Sequence, residues 1–266
     1  MGFLFSKQKE KKETKEIIKP KELKRRALLI GINYENTENE LYGCINDTTN
    51  LESFLISKKE FEKKDIIRIT DHTETKPLCS NLLKEFDSLV TFANDNKDHN
   101  VKLFISFSGH GSFRKDSNYD EDDGYDEVIC GTDGVITDDL IKARLIDRLD
   151  NNVELTILID CCHSGTMCDL KYKYEKNTFL GDKLKNDTKC NVKMISGCRD
   201  NQESADAFLY FEYQGAMTSS FLKCYDKNKH LTTLLKDMRD YLKKNNFEQV
   251  PQLTCGKLLS DDATFF

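Results

Sequence analysis

Short unbroken apolar runs that alternate with segments of helical spacing restrict this chain more than any other feature. Residues 27–32 (Ala27-Leu28-Leu29-Ile30-Gly31-Ile32) are apolar throughout and too few for a core helix, so they read as a strand covered on both faces. Residues 47–57 then have helical spacing. The alternation continues through 65–70 (strand), 82–92 (helix), 101–107 (strand), 138–149 (helix) and 153–160 (strand). A further strand is expected at 192–196, helices at 215–225 and 231–244, and a last edge strand at 251–255, where a starting proline is tolerated. The pattern predicts an α/β fold, a mostly parallel sheet with helices on both faces.

Composition narrows the function classes. Of 266 residues 38% are hydrophobic and 32% charged, with a formal net charge of −6, so nothing points to nucleic acid. The apolar runs fall far short of the roughly 20 residues a membrane-spanning helix needs. There are ten cysteines, two of them adjacent at Cys161 and Cys162, with no apolar leader before them, which predicts a reduced, cytoplasmic setting. Residues 1–25 are rich in Lys and Glu and read as a flexible arm, with residues 26–266 as the folded domain. Met1-Gly2-Phe3-Leu4-Phe5-Ser6 has the outline of a myristoylation signal, and Lys7, Lys9, Lys11 and Lys12 follow it. The bulky Phe3 and the interleaved Glu10, Glu13 and Glu16 favour a solvated arm over membrane contact.

In open α/β sheets ligands bind at the carboxyl ends of the strands, so the residues closing each apolar run are the informative ones. Two runs close on unusual chemistry: Phe107-Ser108-Gly109-His110-Gly111 and Asp160-Cys161-Cys162-His163-Ser164-Gly165. A histidine between two glycines is an ordinary loop more often than not, and paired cysteines are more often small core residues than nucleophiles. Their joint placement at strand ends favours chemistry. His110 stands 52 positions before Cys162, near the roughly 50-residue offset of caspase-type cysteine proteases.

Together with Gly43-Cys44-Ile45-Asn46-Asp47 and Ser196-Gly197-Cys198-Arg199-Asp200, those two segments resemble a type I metacaspase, from about Arg26 to the C-terminus. The resemblance implies a caspase-like sheet and a cysteine endopeptidase, and a monomer is the expected state. It makes Cys162 the nucleophile and His110 the general base, with the Gly111 and Cys162 N–H groups as oxyanion donors. It also lines a substrate pocket with Cys44, Asp47, Ser108 and Asp160, and two carboxylates there would select protein or peptide substrates with Arg or Lys at the cleavage site. The residue-level alternative for Asp47 is a solvent-facing place on the first turn of a helix. Cys161 reads as structural. The family's proline-rich leader is absent, and Gly131 stands where the family has proline.

The stretch from Asp116 to Asp139 is dense in carboxylates that repel one another unless solvated or neutralised. Hard oxygen donors suit calcium better than zinc, and the metacaspase pattern assigns Asp126, Asp138, Asp139 and Asp169 as Ca2+ ligands. An EF-hand is a poor fit, because Glu121 occupies the place of the turn glycine. A metal-free acidic loop is the competing reading. Lys171, Lys173, Lys176, Lys183 and Lys185 lie between two strands in a polar stretch, which predicts self-processing there. The alternatives from other classes are a catalytically silent scaffold and a zinc module built on Cys161, Cys162, His163 and Cys168.

Overall fold

The computed structural model describes residues 21–115, 124–162, 167–197, 206–209 and 212–266. Residues 1–20 of the expected N-terminal arm, and His163, therefore lie outside the described residues, whereas the last part of that arm is described and enters the first strand.

In chain order the elements are β1 (Leu23–Gly31), α1 (Cys44–Ser57), β2 (Ile66–Thr70), α2 (Cys79–Asp95), β3 (Asn100–Ser108), β4 (Gly111–Lys115), β5 (Tyr125–Cys130), β6 (Val135–Thr137), α3 (Asp138–Arg144), β7 (Val153–Asp160), β8 (Tyr172–Glu175), β9 (Thr178–Gly181), β10 (Asn191–Ser196), β11 (Asp206–Leu209), β12 (Glu212–Gly215), α4 (Ala216–Cys224), α5 (Leu231–Lys244) and β13 (Gln252–Cys255). An eight-stranded sheet runs β2-β1-β3-β7-β10-β13-β8-β9. Its first five strands are parallel and the last three antiparallel. Two small sheets, β4-β5-β6 and β11-β12, sit apart from it.

Period-two alternation divides the apolar side chains between two cores. On β1, Leu28 and Ile30 face the α2 and α3 side with Leu82, Phe86, Leu89 and Ile141, whereas Ala27 and Leu29 face the α1, α4 and α5 side with Leu55, Phe221 and Leu235. Each large side chain so buried contributes about 1.5–3 kcal/mol. Helices on both faces are what make the parallel strands apolar throughout. From β1 the chain moves to one neighbour, β2, and then crosses to the other, β3, so the loops leaving β1 and β3 diverge and open a crevice at their carboxyl ends.

Several boundaries differ from the sequence expectation. Strand β1 begins at Leu23 because its polar residues Lys24 to Arg26 pair with Val101 to Leu103, and a backbone ladder needs no apolar side chains. The helix expected over 138–149 ends at Arg144 and resumes as a 3-10 turn, Ile146–Arg148, which brings Leu145, Ile146 and Leu149 all into the core. Strand β13 is not an edge, since the β8–β9 hairpin extends the sheet beyond it, and Pro251 precedes the ladder. Lys115 pairs with Tyr125 in an antiparallel ribbon, so the acidic stretch between them joins two strands and not two EF-hand helices. At Gly131 an added Cβ would meet Cys79 Sγ at 2.8 Å, so Cys79 takes the room a proline would need, and the turn is tied by Gly131 N–H to the Gly134 carbonyl at 2.8 Å.

Candidate active site

Strands β3 and β7 are in register from Val101 opposite Val153 to Ser108 opposite Asp160. The Gly109 N–H donates to the Asp160 carbonyl at 3.4 Å and carries the ladder one step further. His110 and Cys162 each stand two residues past the last rung, on adjacent strands and at one rim of the sheet. At Gly111 an added Cβ would fall 2.1 Å from the Cys162 carbonyl oxygen and 2.7 Å from Cys161 Sγ, so the two exits touch backbone to backbone and admit only glycine. His110 and Cys162 are half-buried, whereas Cys161 is buried in the α2-side core.

The first strand's exit holds the histidine. Tyr34, buried and with φ of 52° in the left-handed region that non-glycine residues rarely occupy, puts its hydroxyl between β4 and β5. It donates to the Cys130 carbonyl at 2.8 Å and accepts the His110 N–H at 2.9 Å. The Cys130 N–H donates to the His110 carbonyl at 3.0 Å, so the hydroxyl replaces the second bond of that pair. Antiparallel alternation then points the next N–H, that of Gly111, away from β5. Burial raises the Tyr34 phenol far above its ordinary value, so the hydroxyl keeps its proton. Burial, with the Cys162 thiol second, also raises Cys130.

The Tyr34 ring lies 4.7 Å from the imidazole, whose Nε2 is 2.7 Å from the Asn39 carbonyl. A carbonyl only accepts, so in the neutral ring Nε2 carries the proton and Nδ1 the lone pair able to take a proton from a thiol. Tyr34→Phe strips a partner from the His110 N–H and from the Cys130 carbonyl. It is expected to cost about 1–3 kcal/mol of stability, measured by denaturant unfolding, and to lower kcat more than it raises KM, measured on a peptide substrate.

Asp47 and Asp160 also come together. Both are buried, at 1% and 5% exposure, so Asp47 does not face solvent. Gly215 N–H donates to both Asp47 oxygens, at 3.0 and 3.2 Å, and Thr218 N–H to Asp160 Oδ2 at 2.8 Å. The carboxylates thus support the N-terminus of α4, where its dipole is positive. A Cβ on Gly215 would lie 2.2 Å from Asp160 Oδ2 and 2.6 Å from Asp47 Oδ2. Cys44, one helical turn before Asp47 on α1, and Ser108, opposite Asp160 in the β3–β7 ladder, are buried.

The acidic residues are placed less simply. Asp126, Asp138 and Asp169 are buried, and Asp139 is half-buried. Burial first, then Asp169 and Glu127, raise the Asp138 carboxyl to about 9, and Asp138 Oδ2 is buried with no hydrogen-bond partner among the described residues. Asp169 receives Lys185 Nζ at 2.6 Å and lies 3.8 Å from Lys142 Nζ, while Asp126 faces Arg114 Nε at 3.6 Å. Among the described residues no three His, Cys, Asp or Glu side chains are gathered to hold a metal ion. The donors Asp138 and Asp169 fit a hard cation in chemistry and burial, with lysines now neutralising part of the charge. For the zinc module, Cys161 and Cys168 lie in the apolar core, leaving Cys162 at the rim.

Tyr34, Asn39, Asn46, Glu127 and Gly215 were not anticipated. Tyr34 and Asn39 follow the first apolar run, whose rim exit obeys the same strand-end rule that singled out His110 and Cys162. In the sequence Glu127 is one carboxylate of the acidic stretch and the twelfth position of the poorly fitting EF-hand pattern. Asn46 lies inside a quoted motif, and its Nδ2 donates to the Tyr213 carbonyl at 2.9 Å.

Comparison with known proteins agrees with this picture. A family model described as metacaspase, peptidase C14 domain, matches residues 25–171. The chain is 33% identical to Metacaspase-1 of Pyricularia oryzae over 91% of its own length and 74% of that protein's. It is likewise 33% identical to Metacaspase-1B of Aspergillus oryzae, over 91% and 70%. A solved structure of a Geobacter sulfurreducens protein shares the fold at 22% identity, with a TM-score of 0.63, covering 89% of this chain and 95% of that one. With more than half its length inside the family model and relatives a third identical across nine-tenths of it, the chain belongs to the metacaspases, a family of cysteine peptidases.

Proposed function

We propose that the chain is a calcium-activated cysteine endopeptidase that cleaves after Arg or Lys, acting through Cys162 and His110. The observation that supports this most is the β3–β7 register, which delivers an imidazole and a thiol to one rim beside two buried carboxylates. In this reading His110 Nδ1 takes the Cys162 proton, and the thiolate attacks the scissile carbonyl carbon. The Gly111 and Cys162 N–H groups receive the developing oxyanion. His110 returns the proton to the leaving amine, and water then hydrolyses the thioester. Asp47 and Asp160, with Cys44 and Ser108 beside them, receive the substrate's guanidinium or ammonium.

Calcium would be held by Asp138 and Asp169, with Asp126 and Asp139 completing the set. Bound there, the ion supplies positive charge that relieves carboxylate repulsion next to the chain leaving Cys162. Titration calorimetry on the full chain is expected to show Ca2+ binding that Asp138→Asn abolishes, and chelator is expected to suppress peptide cleavage. Asp138→Asn should raise the melting temperature in chelator at neutral pH, because the metal-free fold no longer has to take up a proton at a carboxyl raised to about 9. Absence of a calcium-binding heat, with cleavage unchanged in chelator, would reject the calcium role and leave the peptidase assignment standing.

Self-processing belongs to the same reading. Lys176 and Asn177 form the two-residue tip of the β8–β9 hairpin, both with positive φ, and Lys173 sits in the ladder opposite Thr254. Lys171 and Lys185 are engaged with Asp187 and Asp169. That leaves Lys183, beside Leu184 with 87% of its surface exposed, as the lysine best presented for cleavage. Among the described residues nine cysteines are free thiols, and no helix is long and apolar enough to cross a membrane. The reading also takes the enzyme to be a monomer in the cytoplasm.

A further inference from the structure

We infer that Tyr42 and Tyr213 form the wall along which a substrate arginine reaches Asp47 and Asp160, so that this pocket prefers Arg to Lys. The inference rests on the base-selective reading above and adds a residue-level cause for choosing between the two bases. Tyr42 and Tyr213 are exposed, at 55% and 43%, although both are large aromatics. Their ring centroids lie 5.2 Å apart at an interplanar angle of 41°.

Three contacts place this pair at the mouth of the acidic site. Tyr213 lies two residues before Gly215 on β12, and side chains two apart on a strand share a face. The Cβ direction at Gly215 points at both carboxylates, so the Tyr213 ring stands on the carboxylate side of β12, about 6.6 Å along the strand. That separation is about the reach of an arginine side chain. Strand β12 is fixed at both ends of this stretch. Asn46 Nδ2 donates to the Tyr213 carbonyl at 2.9 Å, and Gly215 N–H donates to Asp47. Both anchors are neighbours in the first turn of α1, and Tyr42 comes from the segment just before that helix. Gly215 lets β12 lie directly against the two carboxylates, which keeps the acids and the ring of Tyr213 on one face of the strand.

The chemistry discriminates between the two bases. A guanidinium is planar and weakly hydrated and stacks on aromatic faces while its edge bonds a carboxylate, whereas an ammonium is compact and strongly hydrated. The competing explanation is that the rings only cover one another. In that case their removal shifts stability and not substrate preference.

The test is kcat/KM for matched peptides with Arg or Lys at the cleaved position, on the full chain and on Tyr42→Ala, Tyr213→Ala and the two Tyr→Phe variants, with thermal melts alongside. Each alanine variant is expected to lower the Arg:Lys ratio about two- to fivefold, mainly through KM for the Arg peptide, and each phenylalanine variant to restore it. An unchanged ratio in both alanine variants, with or without a lowered melting temperature, overturns the inference. A wild-type enzyme that cleaves neither peptide overturns the base-selective reading itself, and is distinguishable because no ratio then exists.

Discussion

Cys162→Ala is expected to lower kcat on Arg and Lys peptides by at least about a thousandfold while leaving the melting temperature unchanged. The loss follows from chemistry: without the sulfur no covalent intermediate forms, and the remaining polar groups at the rim accelerate only the slow attack of water. The unchanged fold follows from position. Cys162 is half-buried at the end of a strand and outside both cores, so removing one sulfur opens no interior cavity. Cys161→Ala, one residue away, provides the contrast, because Cys161 is 1% exposed within the core and its loss should reduce stability more than turnover. A zinc module would behave differently, with Cys162→Ala losing bound metal and stability together. The same pair of proteins tests self-processing: with calcium added, intact-mass spectra should show cleavage near Lys183 in wild type and a single full-length species in Cys162→Ala. Full activity in the variant would end the nucleophile assignment.

Asp47→Asn is expected to lower kcat/KM for Arg and Lys peptides by about 10²- to 10³-fold. The amide is nearly isosteric with the carboxylate, and its oxygen still accepts the Gly215 N–H, so α1 and β12 stay joined and the stability cost is about 1 kcal/mol. The difference appears when a cation arrives. The amide presents donors and no charge, and a guanidinium or ammonium that has left water finds one carboxylate where it needed two. Steady-state kinetics with matched peptides reads the effect directly. A loss smaller than about threefold would show that Asp47 serves only to support the chain at Gly215, and would move the specificity determinant elsewhere. Asp160→Asn is a harsher test, since Asp160 also caps the first turn of α4 through Thr218 N–H.

The parts of this molecule legible in its sequence are those where a side chain's polarity reports its environment. The central strands are buried on both faces, so 101–107 and 153–160 stood out as apolar runs, and their closing residues pointed to the rim. The parts not legible are those where backbone geometry or long-range contact decides. Tyr125–Cys130 is a strand whose Asp126 and Glu127 are buried, and two carboxylates in a hexapeptide read as a loop because nothing in the sequence reveals their neighbours Asp138, Asp169 and Arg114. Tyr34 is one tyrosine among ten until the fold places its hydroxyl between two strands. Gly215 looked like an ordinary helix start, and its closeness to two carboxylates from α1 and β7 depends on a crossing of elements that no local pattern encodes.

The eight rungs between β3 and β7 make strand length a functional quantity. Inserting or deleting one residue anywhere between Val101 and Ser108, even at the far end from the rim, would shift the imidazole by about 3.3 Å and invert the pleat for every side chain beyond it. Replacing a single apolar residue in the same span changes only packing. A lineage of such enzymes can therefore vary the composition of these strands freely, but a frame error in either one silences the site as surely as losing the sulfur.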